Sequence, residues 1–599
     1  MRVNNNNNNI HNPFVGNVTT ALLPFNVLVQ SLMQWPKVLE SNSSVFIMKI
    51  HPLIHPLHDL IRNISNMLGV DESAATYMFF LMVMNFPMAV LLRMTRFGKW
   101  RAFLGMWMGL FYTFYTFGVE TLHSIVVPLI VYIWLYVTVG MSDRVVQYLR
   151  QQRRTRMVVP MVAFVFSFGY LLVCHYHRML TDYLGWKLDF TGLQMLITLK
   201  CVAVAWNLHD GILLNNPEKS SQVMSHHHPF HRIHRLERMP SLLEYFGFLF
   251  FCIPVLSGPI YEMSDYLNFI YGQDLNHNNN KDNNDDDTSD DLKNTNRERN
   301  NPPIPYLLIS KKILLAIFNM FLVLKTAPYF GRETFESIIY EREGHKELMN
   351  HSTKILNPNS LLYKFLFSFA CMTSIKFKYI VGWCWSEAAL LIAGFGYQRD
   401  YKNGEFSFEG AEAVKFLDHF LASNLRDVTT TWNVSVSKWL RNYVYTRVGE
   451  RPGTLATVVT FIVSAIWHGV YAGYAIVWIH YALAMSLIGR LAHKKMRPYF
   501  LNDPEHVFSE KNSRVMSCIY KVLSFIATAC FTSYLLPPFL LLSWEHSIQF
   551  FRSMYWCGHL AFVPIYLILN YLPSTRGREK HHLSSDQMDI NIQKKKKVQ

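Results

Sequence analysis

Charge is scarce in this chain. Only 17% of its 599 residues are Asp, Glu, Lys or Arg, 50% are apolar, and the mean hydropathy is +0.10. A soluble domain carries about 25% charged residues, so the composition excludes an ordinary soluble enzyme and indicates a polytopic membrane protein. Paired cysteines are missing too. The eight cysteines stand singly in or beside apolar stretches, with no C-x-x-C, which excludes a disulfide framework and a structural zinc site. The first residues lack a basic stretch followed by an apolar run and a small-residue cleavage site, so no removable signal peptide is expected. The apolar runs have no period of two, which excludes a β-barrel and leaves helices as the spanning form.

What is present is a series of thirteen apolar stretches between residues 73 and 571. Most approach the roughly 20 residues that a helix needs to cross about 30 Å of hydrocarbon. Some are short or broken, such as 242–258 with Pro254 and Gly258, and these are expected to re-enter or to lie at the surface. The expected fold is therefore all-α, a bundle of about 11 transmembrane helices with re-entrant and amphipathic helices around a chamber. Three units follow: an N-terminal segment 1–72, a membrane domain 73–571, and a basic tail 572–599. Asparagine and aspartate runs at 4–9 and within 273–300 are too polar to bury a core and are expected to be disordered, dispensable insertions.

The net charge of +15 is concentrated in alternate loops, at Arg93, Arg96, Lys99 and Arg101, at Arg144 to Arg156, and at Arg232, Arg235 and Arg238. The bias of Lys and Arg toward the cytosol places those loops there and the N-terminus in the lumen. Carrying the alternation forward puts the Asp-rich segment 273–300 in the lumen, and segment 398–453 and the C-terminus in the cytosol. The chain ends KKKKVQ, and Lys596 and Lys597 match a dilysine retrieval address for the endoplasmic-reticulum membrane. No nucleic acid is expected as a partner.

Two stretches carry the chemistry. SAIWHGVYAGY, residues 464–474, places His468 in apolar surroundings between Trp467 and Gly469, near Tyr471 and Tyr474. An ionisable side chain inside a membrane is costly and marks a functional site until shown otherwise, although a lone histidine is more often a packed residue. A neutral imidazole there is the form that a general base requires. The second stretch, TTTWNVSVSKWLRNYVYTRVGERPG, reads as an amphipathic helix bounded by Thr429 to Thr431 and by Gly449, Pro452 and Gly453. Such a helix lies at the membrane surface or caps a cavity, with Asn433 inward and Lys438, Arg441 and Arg447 toward an anion.

WNVSVSKWLRNYVYTRV followed by SAIWHGVYAGY resembles the two signature segments of the membrane-bound O-acyltransferase (MBOAT) family. SGPIYEMSDYLNFI and FKYIVGWCWSEAALLIAGFGY are similar to segments of its lysophospholipid acyltransferase branch. The resemblance implies a chamber open to acyl-CoA from the cytosol and to a lipid acceptor from the side. It implies His468 as general base and Asn433 as its partner, either orienting the imidazole or stabilising an oxyanion. Acyl-CoA is then a co-substrate, with no resident cofactor and no metal, and lysophospholipid and membrane lipids are the other partners. Lys438, Arg441 and Arg447 are candidates for the CoA phosphates, with Lys376 and Lys378 behind them. Trp432, Trp467, Tyr474, Trp383, Trp385 and Trp439 are candidate walls for the acyl chain, and Glu262, with Asp265 and Glu387, is expected to hold the chamber or to meet a head group.

Three alternatives share these features. A sterol or diacylglycerol acyltransferase of the same family would carry F-Y-x-D-W-W-N, whereas three threonines precede Trp432 here. A protein acyltransferase lacks the phospholipid-branch segments. A transporter would use His468 in a proton path, but no inverted repeat is visible. The cluster His226, His227, His228, His231 and His234 resembles part of an iron-binding desaturase, yet it stands alone where that chemistry needs several boxes.

Overall fold

The computed structural model describes residues 44–68, 71–151, 153–213, 228–272, 301–331, 360–399, 406–449, 453–496 and 510–572, with a few positions between 26 and 34 and Phe335. Apart from a two-residue antiparallel ladder, Gln398–Arg399 with Phe406–Ser407, these residues form helices and turns. After α1 (Ser44–Leu68) come α2 (Glu72–Met94), α3 (Lys99–Phe117), α4 (Thr121–Leu135), α5 (Arg153–Thr181) and α6 (Thr191–Leu213). Two short helices follow, α7 (Leu242–Leu249) and α8 (Met263–Tyr271), then α9 (Tyr306–Thr326) and α10 (Leu361–Ala393). The remainder are α11 (Leu425–Thr431), α12 (Val434–Tyr443), α13 (Thr454–His468), α14 (Ala472–Met496), α15 (Glu510–Leu535) and α16 (Cys557–Tyr571).

Eight stretches are long and apolar enough to cross a membrane. One of them, Lys99–Gly140, folds back at Gly118–Glu120 into two legs, and the apolar helices α13 and α16 are shorter. Counting these gives eleven candidate legs among the described residues. Three of the thirteen apolar stretches are accounted for differently, which lowers the count by two. Stretches 361–378 and 380–397 form the single 33-residue helix α10, and 242–258 turns back.

The turn is the re-entry expected of 242–258, and it corrects the alternation that placed the Asp-rich segment 273–300 in the lumen. Helix α7 starts near α3, where Gly247 lies against Ala102, and Phe250 then reaches Gly109, where a Cβ would stand 1.7 Å from the Phe250 carbonyl oxygen. Residues 250–262 leave helical geometry, and α8 returns to where it began. The Gly98 amide bonds the Ile270 carbonyl, and Gly272 abuts Phe97. Asn301, on the far side of the Asp-rich insert, bonds the Arg93 carbonyl at 2.8 Å and accepts from Arg101 at 3.1 Å. Both flanks of the insert therefore sit on the basic 93–101 loop, not at the opposite end. The insert itself lies outside the described residues. Because α9 and α10 then supply only two crossings where three were expected, the two miscounts cancel from residue 398 onward.

A stretch of irregular backbone at membrane depth is tolerated only when protein satisfies it. Here the Asn85 amide bonds the Ile253 carbonyl (3.1 Å), Tyr77 the Leu256 carbonyl (3.3 Å), and the Trp383 indole the Ser257 carbonyl (3.1 Å). The buried Lys200 ammonium bonds the Phe248 and Leu249 carbonyls at 2.9 and 3.2 Å and the Tyr261 hydroxyl at 2.9 Å. At the mouth of this hairpin, burial pushes the Glu244 carboxyl up, but Arg238, Tyr271 and Ser241 outweigh it and hold the group at about 2.

A second hairpin follows α10. The Ala413 amide bonds Glu387 (2.7 Å), whose other oxygen meets Lys312. The chain then runs inward along α10 until Phe420 faces Phe377 (6.0 Å between rings). Helix α12 brings it back to the basic end, where Arg447 forms a bidentate pair with Asp210 (2.8 and 2.5 Å). The surface-helix reading of 432–449 is thus corrected: Trp439 and Tyr443 are 1% and 2% exposed inside the bundle.

Candidate active site

Helix α6 is the ruler for the site. The Trp439 indole of α12 donates to the Leu199 carbonyl at 2.9 Å, and the Trp467 indole of α13 donates to the Met195 carbonyl at 3.0 Å. Leu199 and Met195 are one turn apart, about 6 Å, and Asn433 precedes Trp439 by six residues, about 9 Å of helix directed away from the basic end. These offsets place Asn433 and His468 at nearly the same depth, on two elements that share one partner. Val436, Trp439, Val463 and Trp467 fill the space between those elements and α6.

Asn433 stands between α11 and α12 with φ 43° and ψ 57°. Among residues with a Cβ, Asn is one of the few that adopt this left-handed region readily. Its carboxamide does not cap α12 and has no hydrogen-bond partner among the described residues. His468 is the last residue of α13, about 21 Å of helix from its start at Thr454. Its ring stacks on Trp478 (5.3 Å, 22°) and meets Trp467 (4.8 Å), Phe539 (5.1 Å) and Tyr474 (5.8 Å). Neither ring nitrogen has a hydrogen-bond partner among the described residues. Gly469 follows at φ 142°, and a Cβ there would stand 3.0 Å from the Tyr474 ring, so a larger residue would strain the backbone and push on the wall.

The other expected site residues divide into groups. Trp432 packs on Trp383 (4.8 Å), His419 (4.9 Å) and Tyr379 (6.3 Å), forming an aromatic wall beside Asn433. Trp467 and Tyr474 border the His468 ring. Lys438 and Arg441 are exposed on the stretch of α12 that leads to the basic end. Glu262 is bonded within the protein: Tyr443 donates to it at 2.5 Å and Asn207 at 3.3 Å. Arg447 is held by Asp210 and lies over the Trp206 ring at 4.3 Å, so its fork is not free for a phosphate. Trp385 turns to the other side of α10, where its indole bonds the Met82 carbonyl. Of the histidine cluster, His231 bonds the Asn442 carbonyl (2.9 Å) and His234 bonds Ser264 (2.6 Å), while His226 and His227 lie outside the described residues.

Sequence reasoning missed His175. Its Nε2 meets the Trp467 carbonyl at 3.0 Å, and because a carbonyl only accepts, Nε2 carries the proton. This bond satisfies one of the carbonyls that the end of α13 leaves open and fixes the backbone immediately before His468. An intramembrane histidine at 175 was the available signal.

An imidazole and a carboxamide, each without a hydrogen-bond partner among the described residues, thus stand at the ends of two neighbouring helices inside the bundle of a polytopic membrane protein. The membrane-bound O-acyltransferase family matches residues 179–536, more than half of the chain, and the protein belongs to that family of acyltransferases. It is 27% identical over 485 residues to lysophospholipid acyltransferase 6 of Drosophila melanogaster, covering 81% of this chain and 58% of that protein. It is 27% identical to membrane-bound glycerophospholipid O-acyltransferase 2 of Gallus gallus, over 79% of this chain and 80% of that one. Identity to lysophospholipid acyltransferase 1 of Arabidopsis thaliana is 28%, over 70% and 80% of the two chains.

Proposed function

We propose that this protein is an acyl-CoA-dependent lysophospholipid O-acyltransferase, moving a fatty acyl chain from the CoA thioester to the free glycerol hydroxyl of a lysophospholipid. The observation that carries this reading is the pair Asn433 and His468, unbonded by protein and level with each other at the ends of two helices anchored on α6. The names of the similar proteins support the choice of acceptor.

In this reading His468, neutral, takes the hydroxyl proton as the oxygen attacks the thioester carbonyl. The carbonyl becomes a tetrahedral oxyanion, to which the Asn433 amide donates a hydrogen bond. Collapse expels the CoA thiolate, which recovers the proton from the imidazolium, so an ester and free CoA result. Lys438 and Arg441 meet the CoA phosphates at the basic end, Trp432, Trp467 and Tyr474 border the acyl chain and glycerol, and no resident cofactor takes part. The basic end faces the cytosol by the Lys and Arg bias of its loops. The C-terminus emerges there, since Lys495 bonds the Asn570 carbonyl next to the end of α16. The final lysines, outside the described residues, are the address for the endoplasmic reticulum.

The test is purified protein supplied with labelled acyl-CoA and, separately, a lysophospholipid, a sterol or diacylglycerol. Labelled phospholipid and stoichiometric free CoA are expected. Turnover with a neutral lipid and with no lysophospholipid would overturn the assignment.

A further inference from the structure

Lys376 and Lys378 of α10 pair with no carboxylate among the described residues. Lys376 and Lys378 lie seventeen and fifteen residues before Ala393, which is about 25 and 22 Å of helix from the end where Arg93 binds the Ile392 carbonyl. Two residues before Lys376 and thirteen after the start of α10, Ser374 bonds Thr326, the last residue of α9 and so the end of that crossing opposite the basic loops, at 2.7 Å. Both lysines therefore sit near the interface opposite the basic loops. They are too deep for phosphates of a CoA held at Lys438 and Arg441, which corrects their place behind those residues.

Their surroundings are aromatic. The Lys376 ammonium lies 5.8 Å from the Trp432 ring and 5.9 Å from Phe420, and the Lys378 ammonium 5.4 Å from Trp186 and 5.3 Å from Tyr379. Neither has an ion-pair or hydrogen-bond partner among the described residues. Aromatic faces attract a cation but do not neutralise it, and an ammonium on a membrane helix is costly without an anion. The two charges flank a wall, Tyr379 with Trp432, that ends at Asn433. Trp186 belongs to the turn 182–190, in which the Leu184 amide bonds the Tyr471 hydroxyl at 2.9 Å, three residues beyond His468. The cations thus stand beside both halves of the reaction centre, on the side away from the CoA entrance.

We propose that Lys376 and Lys378 seat the anionic head group of the acceptor lipid, and that this seat favours acceptors with a net negative head group over zwitterionic ones. The inference rests on the proposed function. One ammonium pairs with the glycerol-linked phosphate shared by all lysophospholipids. The second rewards an additional negative group and opposes a choline or ethanolamine cation, since a lysine head is a compact point charge.

The experiment uses the full chain in detergent micelles with one acyl-CoA and compares lysophosphatidylserine with lysophosphatidylcholine, by equilibrium binding and by turnover, for the natural protein, K376Q/K378Q and K376R/K378R. The Gln pair is expected to raise the KM for lysophosphatidylserine about tenfold, to raise that for lysophosphatidylcholine less, and to leave the KM for acyl-CoA unchanged. The Arg pair restores the preference, which a folding defect would not allow. A ratio of the two acceptors unmoved by the Gln pair overturns the seat, and so does a rise confined to the KM for acyl-CoA. Lysine-dependent binding of lysophosphatidylserine without acyl transfer would instead overturn the reaction and leave the seat standing.

Discussion

The two hairpins that enter and leave at the basic end differ in what they do with their polar groups. In 242–272, the Asn85, Tyr77, Trp383 and Lys200 side chains are all engaged with backbone carbonyls of the turn, and Glu262 at its end is taken by Tyr443 and Asn207. In 413–447, the backbone is tied at Ala413, which accepts from the Val434 amide at 2.7 Å, and the adjoining Asn433 carboxamide, on the returning arm, has no hydrogen-bond partner among the described residues. In the proposed reading the first hairpin is a plug that closes the bundle, and the second presents Asn433 to the substrate.

Substitutions separate plug from presenter by which quantity they move. The largest effect is expected at the residue the second hairpin faces. His468→Ala removes the base and leaves the protein folded, with turnover at background in a radiolabelled acyl-transfer assay. Activity within tenfold of the natural protein would end its role as base. Next, Asn433→Ala is expected to lower kcat by about 10²–10³, the usual loss of one oxyanion donor, with a loss of stability of only about 1–2 kcal/mol from the strain of alanine at φ 43°. A fall in unfolding temperature without a fall in kcat would erase the distinction between the hairpins. Smaller still, Tyr443→Phe strips the Glu262 carboxylate of its short hydrogen bond. It should destabilise by about 1–3 kcal/mol, read as a lower midpoint in detergent unfolding, with acceptor KM preserved.

Much of this architecture was legible in the residues, and for uneven reasons. His468 stood out because a polar side chain in an apolar run is rare, Asn433 because its segment resembles a family signature, and their sequence separation sets no distance until α6 aligns them. The first hairpin was expected to re-enter, yet its stretch, 242–258, is apolar enough to span and entered the alternation of loops as a crossing; its turns are satisfied by residues as distant as Asn85 and Trp383. Stretch 432–449 has an amphipathic period that fits a surface helix as well as a cavity cap, and periodicity cannot show that Tyr443 and Arg447 meet Asn207, Glu262 and Asp210 while Lys438 and Arg441 stay exposed. Arg447 was misread for the same reason, since its partner Asp210 lies 237 positions away. The eighteen-residue stretches on either side of position 379 read as two spans where α10 is continuous.

The smallest effect on activity, and the sharpest test of the plug, concerns the Asp-rich insert. If 242–272 reverses, residues 273–300 share a compartment with the Arg93 to Arg101 loop. If it crosses, they lie opposite. An N-glycosylation triplet with a short spacer placed within 276–291 should stay unmodified in cells when those basic loops are cytosolic, whereas the same cassette between residues 340 and 350, following α9, should gain a glycan. Turnover should be unaffected in both, because each site lies far along the chain from Asn433 and His468. Glycan on the first cassette and none on the second would convert the plug into a span. It would also detach Gly272 and Asn301 from the loop that the structure ties them to, since a glycosylated insert and a cytosolic Arg93 cannot occupy one side of the membrane.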